Sequence, residues 1–217
     1  LRKTLALEEA LPLFYLGGLS NGDFLPCFEK LFGSLPAGFS SASITRLKHA
    51  WTTELEQWRQ RDLTAARYCY LWVDGIHFNL RLAEGKLCVL VAIGARESGK
   101  KELVAVVGGY RESADSWRTL LRDLYHRGMP CPRLCIGDGA LGFWKALTDI
   151  YPDAAHQRCW VHKTANILDK MPKSAQPQAK TLIHDMYRAE TEDQARASYA
   201  AFRERYQAAY PRAVACL

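Results

Sequence analysis

A mixed α/β fold flanked by helical segments is predicted by three observations in the 217-residue sequence. Apolar runs of strand length at 68–73, 86–93 and 102–107 follow one another, the last two joined by Glu97-Ser98-Gly99-Lys100, a turn. From there to residue 159, helix-period and strand-period segments alternate. Up to residue 67 and again after Trp160 the apolar residues recur at helical spacing.

In the first 67 residues, Leu5, Leu7, Leu11 and Leu13 lead to Gly17-Gly18, a helix stop. Ser20-Asn21-Gly22-Asp23 offers capping side chains for a short segment at 24–32, which Gly33 closes. In a third helix Ile44, Leu47, Trp51, Leu55 and Trp58 are spaced 3, 4, 4 and 3, with Ser40-Ser41 as N-cap. Arg46, Lys48 and His49 fall off that stripe near the helix start. This outline fits a helix-turn-helix that meets DNA, and equally a helical bundle with a solvated basic face.

The run Tyr68-Cys69-Tyr70-Leu71-Trp72-Val73 is continuously apolar and is expected to end as a strand in Asp74-Gly75. With the two runs after it, it makes a three-strand meander. A helix at 113–126 then turns Trp117, Leu120, Leu121 and Leu124 inward and is halted by Gly128 and Pro130. A fourth strand at 133–137 ends in Asp138-Gly139, a further helix lines up Phe143, Trp144, Leu147 and Ile150, and a short fifth strand at 155–159 follows Pro152. The order β-β-β-α-β-α-β is that of a ribonuclease-H-like fold. Ala179, Leu182, Ile183 and Met186 mark one later helix; Ala195, Tyr199, Phe202 and Tyr206 mark the next.

Composition narrows the class. With 48% hydrophobic and 24% charged residues the chain is globular rather than disordered. No apolar run approaches the roughly 18 residues of a membrane span. Seven cysteines, an odd number and several of them inside apolar runs, point to buried thiols in a reducing cytosol. The net charge of +6 is spread without a basic tail, which suits a polyanionic partner but also many ordinary proteins. The chain starts Leu-Arg-Lys-Thr and stops within an apolar run, as expected of a piece of a longer protein.

The chemistry centres on two apolar strands that each run into Asp-Gly, at Asp74 and Asp138. Singly, each Asp-Gly reads as a turn. In a ribonuclease-H-like sheet, however, the first and fourth strands are neighbours, so both carboxylates would emerge side by side and repel unless a cation lay between them. Mg²⁺ suits such a pair, because it takes oxygen ligands and keeps several waters, and two ions about 3.5–4 Å apart can serve an in-line displacement at phosphorus. The glycines after each aspartate would let a substrate backbone come close. A third carboxylate is wanted, yet Glu190, Glu192 and Glu204 read as solvated surface.

A second cluster is His156-Gln157-Arg158-Cys159-Trp160-Val161-His162-Lys163. Cys159-x-x-His162 could ligate zinc, but His156, Cys131 and Cys135 complete no recognised four-ligand set, so zinc is the weaker reading. The alternative is a strand-to-helix turn in which Cys159 and His162 fix geometry beside Asp138, with Arg158, Lys163 and Trp160 turned to DNA. Trp160 reads equally well as a core residue.

Three ordered motifs, Tyr-Leu-Trp-Val-Asp74-Gly-Ile-His-Phe, Ile-Gly-Asp138-Gly-Ala-Leu-Gly-Phe-Trp and Gln-Arg-Cys159-Trp-Val-His162-Lys, resemble the mutator-type transposases of bacterial insertion sequences. The likeness extends over nearly the whole chain, including Tyr-Leu-Gly-Gly-Leu-Ser-Asn-Gly-Asp-Phe at 15–24. The resemblance implies an Asp-Asp-Glu enzyme of the bacterial cytoplasm that cuts element ends with two Mg²⁺ or Mn²⁺ ions and joins the freed 3′ hydroxyl to target DNA. It implies catalytic and metal-binding roles for Asp74 and Asp138, terminal inverted repeats as partners, and a homo-oligomer on DNA. It divides the chain into a DNA-binding region at 1–67, an incomplete catalytic core at 68–170 and the start of a helical insertion at 171–217. The family's glutamate lies beyond such an insertion, so this stretch is expected to lack the full triad and activity.

Overall fold

A computed structural model describes residues 23, 26–27, 29–30, 41–79, 86–109, 113–139 and 142–217. The chain divides into two compact units, Leu1–Arg61 and Asp62–Leu217.

In the first unit helix α1, Ser41–Gln60, contains neither glycine nor proline and runs unbroken for 20 residues. Its stripe is only partly covered: Leu47, Trp51 and Trp58 are half-buried and Leu55 is 42% exposed. Arg61 closes the helix by lying 4.3 Å over the Trp58 ring and donating to the Trp58 carbonyl at 2.7 Å. Arg46 and His49 are exposed and Lys48 is half-buried. The earlier helices, and with them the helix-turn-helix, lie outside the described residues except for short helical stretches at 26–27 and 29–30.

The second unit is built on a sheet of β1 (Tyr68–Asn79), β2 (Lys86–Arg96), β3 (Lys101–Gly109), β4 (Leu134–Gly137) and β5 (Ala155–Arg158), in the order β3-β2-β1-β4-β5. β2 is antiparallel to both neighbours, while β4 and β5 run parallel to β1. This is the ribonuclease-H-like arrangement that the element order predicts. The parallel strands need crossovers. Helix α2, Ala114–His126, leads into β4, and helix α3, Phe143–Ile150, leads into β5.

Ser113 caps α2 by accepting the Ser116 N–H at 3.1 Å, and Gly128, at φ +82°, turns the chain out of it. The buried face of α2, Trp117, Leu120, Leu121 and Leu124, packs with Phe143 and Leu147 of α3 against Leu71, Val73, Leu90, Ala92 and Val104 of the sheet. Trp117 meets Phe143 edge-on at 5.2 Å. Where the two helices begin, backbones touch: a Cβ on Gly142 would stand 2.8 Å from Ala114 Cα and 3.0 Å from the Ser113 carbonyl carbon.

One expectation for β1 needs correction. The strand does not end at Asp74-Gly75 but continues to Asn79, with Asp74 opposite Val91 and Gly75 opposite Leu90. The β-favouring Ile76 and Phe78 extend the ladder with β2, and Gly75 keeps a negative φ, so no turn forms. The continuous apolar run is covered on one face only. Leu71 and Val73 are buried, whereas Tyr70, Ile76, and their neighbours Ile93 and Leu103 are exposed. Trp72, on that open face, is shielded by Tyr70 at 5.8 Å and by the Lys101 ammonium at 5.3 Å.

At the other end of the strands Glu102 accepts from Arg96 Nε at 2.7 Å and from the Tyr68 hydroxyl at 3.1 Å. The Arg96 guanidinium holds the Glu102 carboxyl below its usual range.

A separate core cluster lies in the helices after β5: α4 (Trp160–Leu168), α5 (Gln176–Tyr187), α6 (Glu192–Tyr206) and α7 (Pro211–Cys216). Ile167, Ala179, Ile183, Phe202 and Ala213 are its fully buried members. Thr191 caps α6 through the Gln194 N–H, with Glu192 and Asp193 in the first turn. Tyr199, expected inward, is exposed, because the cluster covers only the end of α6 that carries Phe202 and Tyr206. No described helix is long and apolar enough to cross a membrane.

Candidate active site

The parallel pairing of β1 with β4 sets the site. Tyr70 pairs with Leu134, Leu71 with Cys135 and Trp72 with Ile136. Continued two residues, the same register puts Asp74 across from Asp138, on strands about 4.8 Å apart. Alternation gives the side. Leu71, Val73 and Cys135 face the helix-covered core, so Trp72, Asp74 and Ile136 fall on the opposite face. Asp74 thus lies two residues past the last β1–β4 pairing, and Asp138 directly after β4.

Their local settings differ. Asp74 is flanked within β1 by residues paired to β2, and its Oδ1 accepts the Gly75 N–H at 3.0 Å. Asp138 follows the last residue of β4, and its Oδ1 accepts the Gly139 N–H in the same way. The Trp144 indole N–H donates to the Asp138 carbonyl at 2.7 Å, and the ring lies 5.1 Å from that of His156 on β5. Gly139 is not open to a substrate backbone as expected. The Arg158 guanidinium occupies that space, 2.7 Å from where a Cβ would sit.

The Cys159-x-x-His162 turn divides its work. The Cys159 N–H donates to the Gly137 carbonyl at 2.8 Å, next to Asp138, while its thiol is free and half-buried. His162, in the first turn of α4, reaches past β4 to the other aspartate, with Nε2 3.8 Å from Asp74 Oδ1. Its Nδ1 is buried and has no hydrogen-bond partner. Trp160 packs: it sits against the helical cluster with its ring 5.4 Å from Tyr187. Lys163 is half-buried and Arg158 exposed. Glu190, Glu192 and Glu204 are exposed, Glu192 in an ion pair with Arg196. Among the described residues no three His, Cys, Asp or Glu side chains come together closely enough to hold a metal ion.

The part of the site that sequence reasoning missed is the clasp on Asp138. Trp144 reads as one more apolar residue of α3, and nothing in its spacing signals an indole aimed at a carbonyl six residues back. The Gly139–Arg158 contact follows from β4–β5 pairing, which sets Arg158 opposite Gly137.

The fold defines an α/β protein of ribonuclease-H-like topology. Residues 1–217 match the family described as transposase, mutator family, and the chain belongs to it. It is 53% identical over 209 residues, 96% of its length, to the transposase for insertion sequence element IS6120 of Mycolicibacterium smegmatis. It is 43% identical over 195 residues to the transposase for insertion sequence element IST2 of Acidithiobacillus ferrooxidans. In each case it spans 64% of the relative's length. Among solved structures, the HTLV-2 integrase catalytic core domain in complex with magnesium is similar over 64% of this chain and 86% of that one, at 14% identity and a TM-score of 0.31.

Proposed function

We propose that Asp74 and Asp138 are the metal-binding carboxylates of an enzyme that cleaves and joins DNA strands, and that this stretch of chain carries two of the three acidic groups the reaction uses. The observation that carries the reading is the β1–β4 register, which supports two carboxylates at one level and on one face. Family membership supports the reaction class.

The donor set fits a hard divalent cation: oxygen ligands of like charge on adjacent strands, half open to solvent, with room for water and phosphate oxygens. Mg²⁺ or Mn²⁺, two ions in the complete site, would supply Lewis acidity for in-line attack at phosphorus. The chain's own residues orient the ligands. His162 stands behind Asp74, and Trp144 holds the backbone of Asp138. Arg158 and Lys163 offer cations to the DNA backbone beside the carboxylates, and Arg46, Lys48 and His49 on α1 offer a second basic group for the duplex of the terminal repeats. Target DNA, a homo-oligomeric assembly and a bacterial cytoplasmic setting complete the reading.

Mn²⁺ titration followed by electron paramagnetic resonance tests it. Wild type is expected to bind the ion, and Asp74→Asn and Asp138→Asn are each expected to weaken binding at least 10-fold. Wild-type affinity in both variants would overturn the assignment.

A second reading rests on the lack of a three-carboxylate group among the described residues. On it, these 217 residues occupy element ends without cutting them. Terminal-repeat DNA bound tightly, with no Mg²⁺-dependent nicking, is the result it expects; nicking would exclude it.

A further inference from the structure

Arg158 is placed with unusual economy. It lies on β5 opposite Gly137, one residue before Asp138, and its guanidinium packs on the Gly139 backbone, where a Cβ would meet Cζ and one terminal nitrogen at 2.7 Å and Nε at 2.8 Å. The side chain is exposed, and no carboxylate among the described residues pairs with it. Some other arginines of this unit pair with acids, Arg96 with Glu102, Arg118 with Asp149, Arg133 with Glu97 and Arg196 with Glu192, whereas Arg158 is among those that do not. A guanidinium packed beside a glycine keeps its outer N–H donors available. Its fork suits two oxygens of one phosphate.

We propose that Gly139 and Arg158 form a phosphate seat: Gly139 is the floor that keeps the guanidinium beside Asp138, and the occupant is a backbone phosphate of the DNA strand lying across the two carboxylates. This rests on the function proposed above and adds a residue pair with a defined division of labour. Gly139 contributes by having no side chain, and Arg158 by its charge and shape. Gly139 does not adopt a positive φ, so alanine suits its backbone and displaces only the flexible end of an arginine. Gly139→Ala therefore moves the cation without removing it.

The experiment is fluorescence anisotropy of the 217-residue chain with a short labelled DNA duplex in Mg²⁺ over a series of salt concentrations, for wild type, Gly139→Ala, Arg158→Ala, Arg158→Lys and the double alanine variant. Arg158→Ala is expected to weaken binding about 5-fold and to lower the salt slope by about one. Gly139→Ala is expected to reproduce most of the affinity loss at unchanged net charge, Arg158→Lys to fall between it and wild type, and the double variant to bind no worse than Arg158→Ala. If Gly139→Ala binds like wild type while Arg158→Ala does not, the seat is refuted and Arg158 is only a surface charge. If wild type binds DNA and all variants match it, this inference fails and the proposed function stands. If wild type does not bind DNA, both fall.

Discussion

His162 Nε2 stands 3.8 Å from Asp74 Oδ1, although the helix that carries the histidine follows β5, two strands away from β1. That distance is within ion-pair range and too long for a hydrogen bond. The imidazole thus brings the first turn of α4 to β1, the central strand of the sheet. If it positions the carboxylate, His162→Ala will lower Mn²⁺ affinity by about 10-fold while the melting temperature stays within a few degrees of wild type. Unchanged affinity would leave the contact without a role in ion binding.

Asp138 depends on a different support. Trp144→Phe keeps a ring on α3 but removes the N–H that donates to the Asp138 carbonyl. A loss of about 1 kcal/mol in urea unfolding is expected, together with weaker Mn²⁺ binding. A variant with wild-type stability and affinity would show the bond to be dispensable.

Two glycines make a contrasting pair. A Cβ on Gly142 would press into the Ser113–Ala114 backbone, which cannot yield as a side chain can, so Gly142→Ala should cost about 2–4 kcal/mol. Gly108, on β3, has open space around it, and Gly108→Ala should change stability by less than about 1 kcal/mol. Denaturant midpoints of both variants are the measurement.

The Arg96–Glu102 pair links stability to acid. Because Glu102 titrates lower in the folded protein than in the unfolded chain, its contribution is present above the unfolded value of about 4.3 and is lost as pH falls through the lower folded value. Glu102→Gln should destabilise the protein by about 1 kcal/mol at neutral pH and make the curve of stability against pH flatter on its acid side. Parallel curves for variant and wild type would contradict this.

Burial pushes the Cys135 thiol up to about 12. Cys135 and the equally buried Cys88 should resist alkylation at pH 8 in the native protein and react on unfolding, as read by mass spectrometry. Rapid native labelling of either would place it outside the core.

Much of this architecture was legible because its elements obey one period at a time. Trp117, Leu120, Leu121 and Leu124 form an unbroken helical stripe, and all four are buried. The β1–β4 pairing could be read from element order, since β-β-β-α-β-α-β leaves few ways to place the fourth strand. What could not be read was long-range or local to one atom. Asp74-Gly75 looks like a turn until β2 supplies a partner for every residue to Asn79. Tyr199 matches the stripe of α6 yet lies past the edge of the cover. The partners of His162 and Arg158 depend on which strands are neighbours, and spacing along the chain does not encode that.

The unequal anchoring of the two aspartates carries a consequence for change over time. Asp74 belongs to a ladder that closes when the sheet itself forms, so it behaves as the fixed jaw of a vice. Asp138 hangs on a short bend clasped by an indole and a guanidinium, and it is the jaw that can be adjusted. On the proposed assignment, substitutions at 139, 144 or 158 would alter the setting of Asp138 while leaving the ladder that carries Asp74 in place.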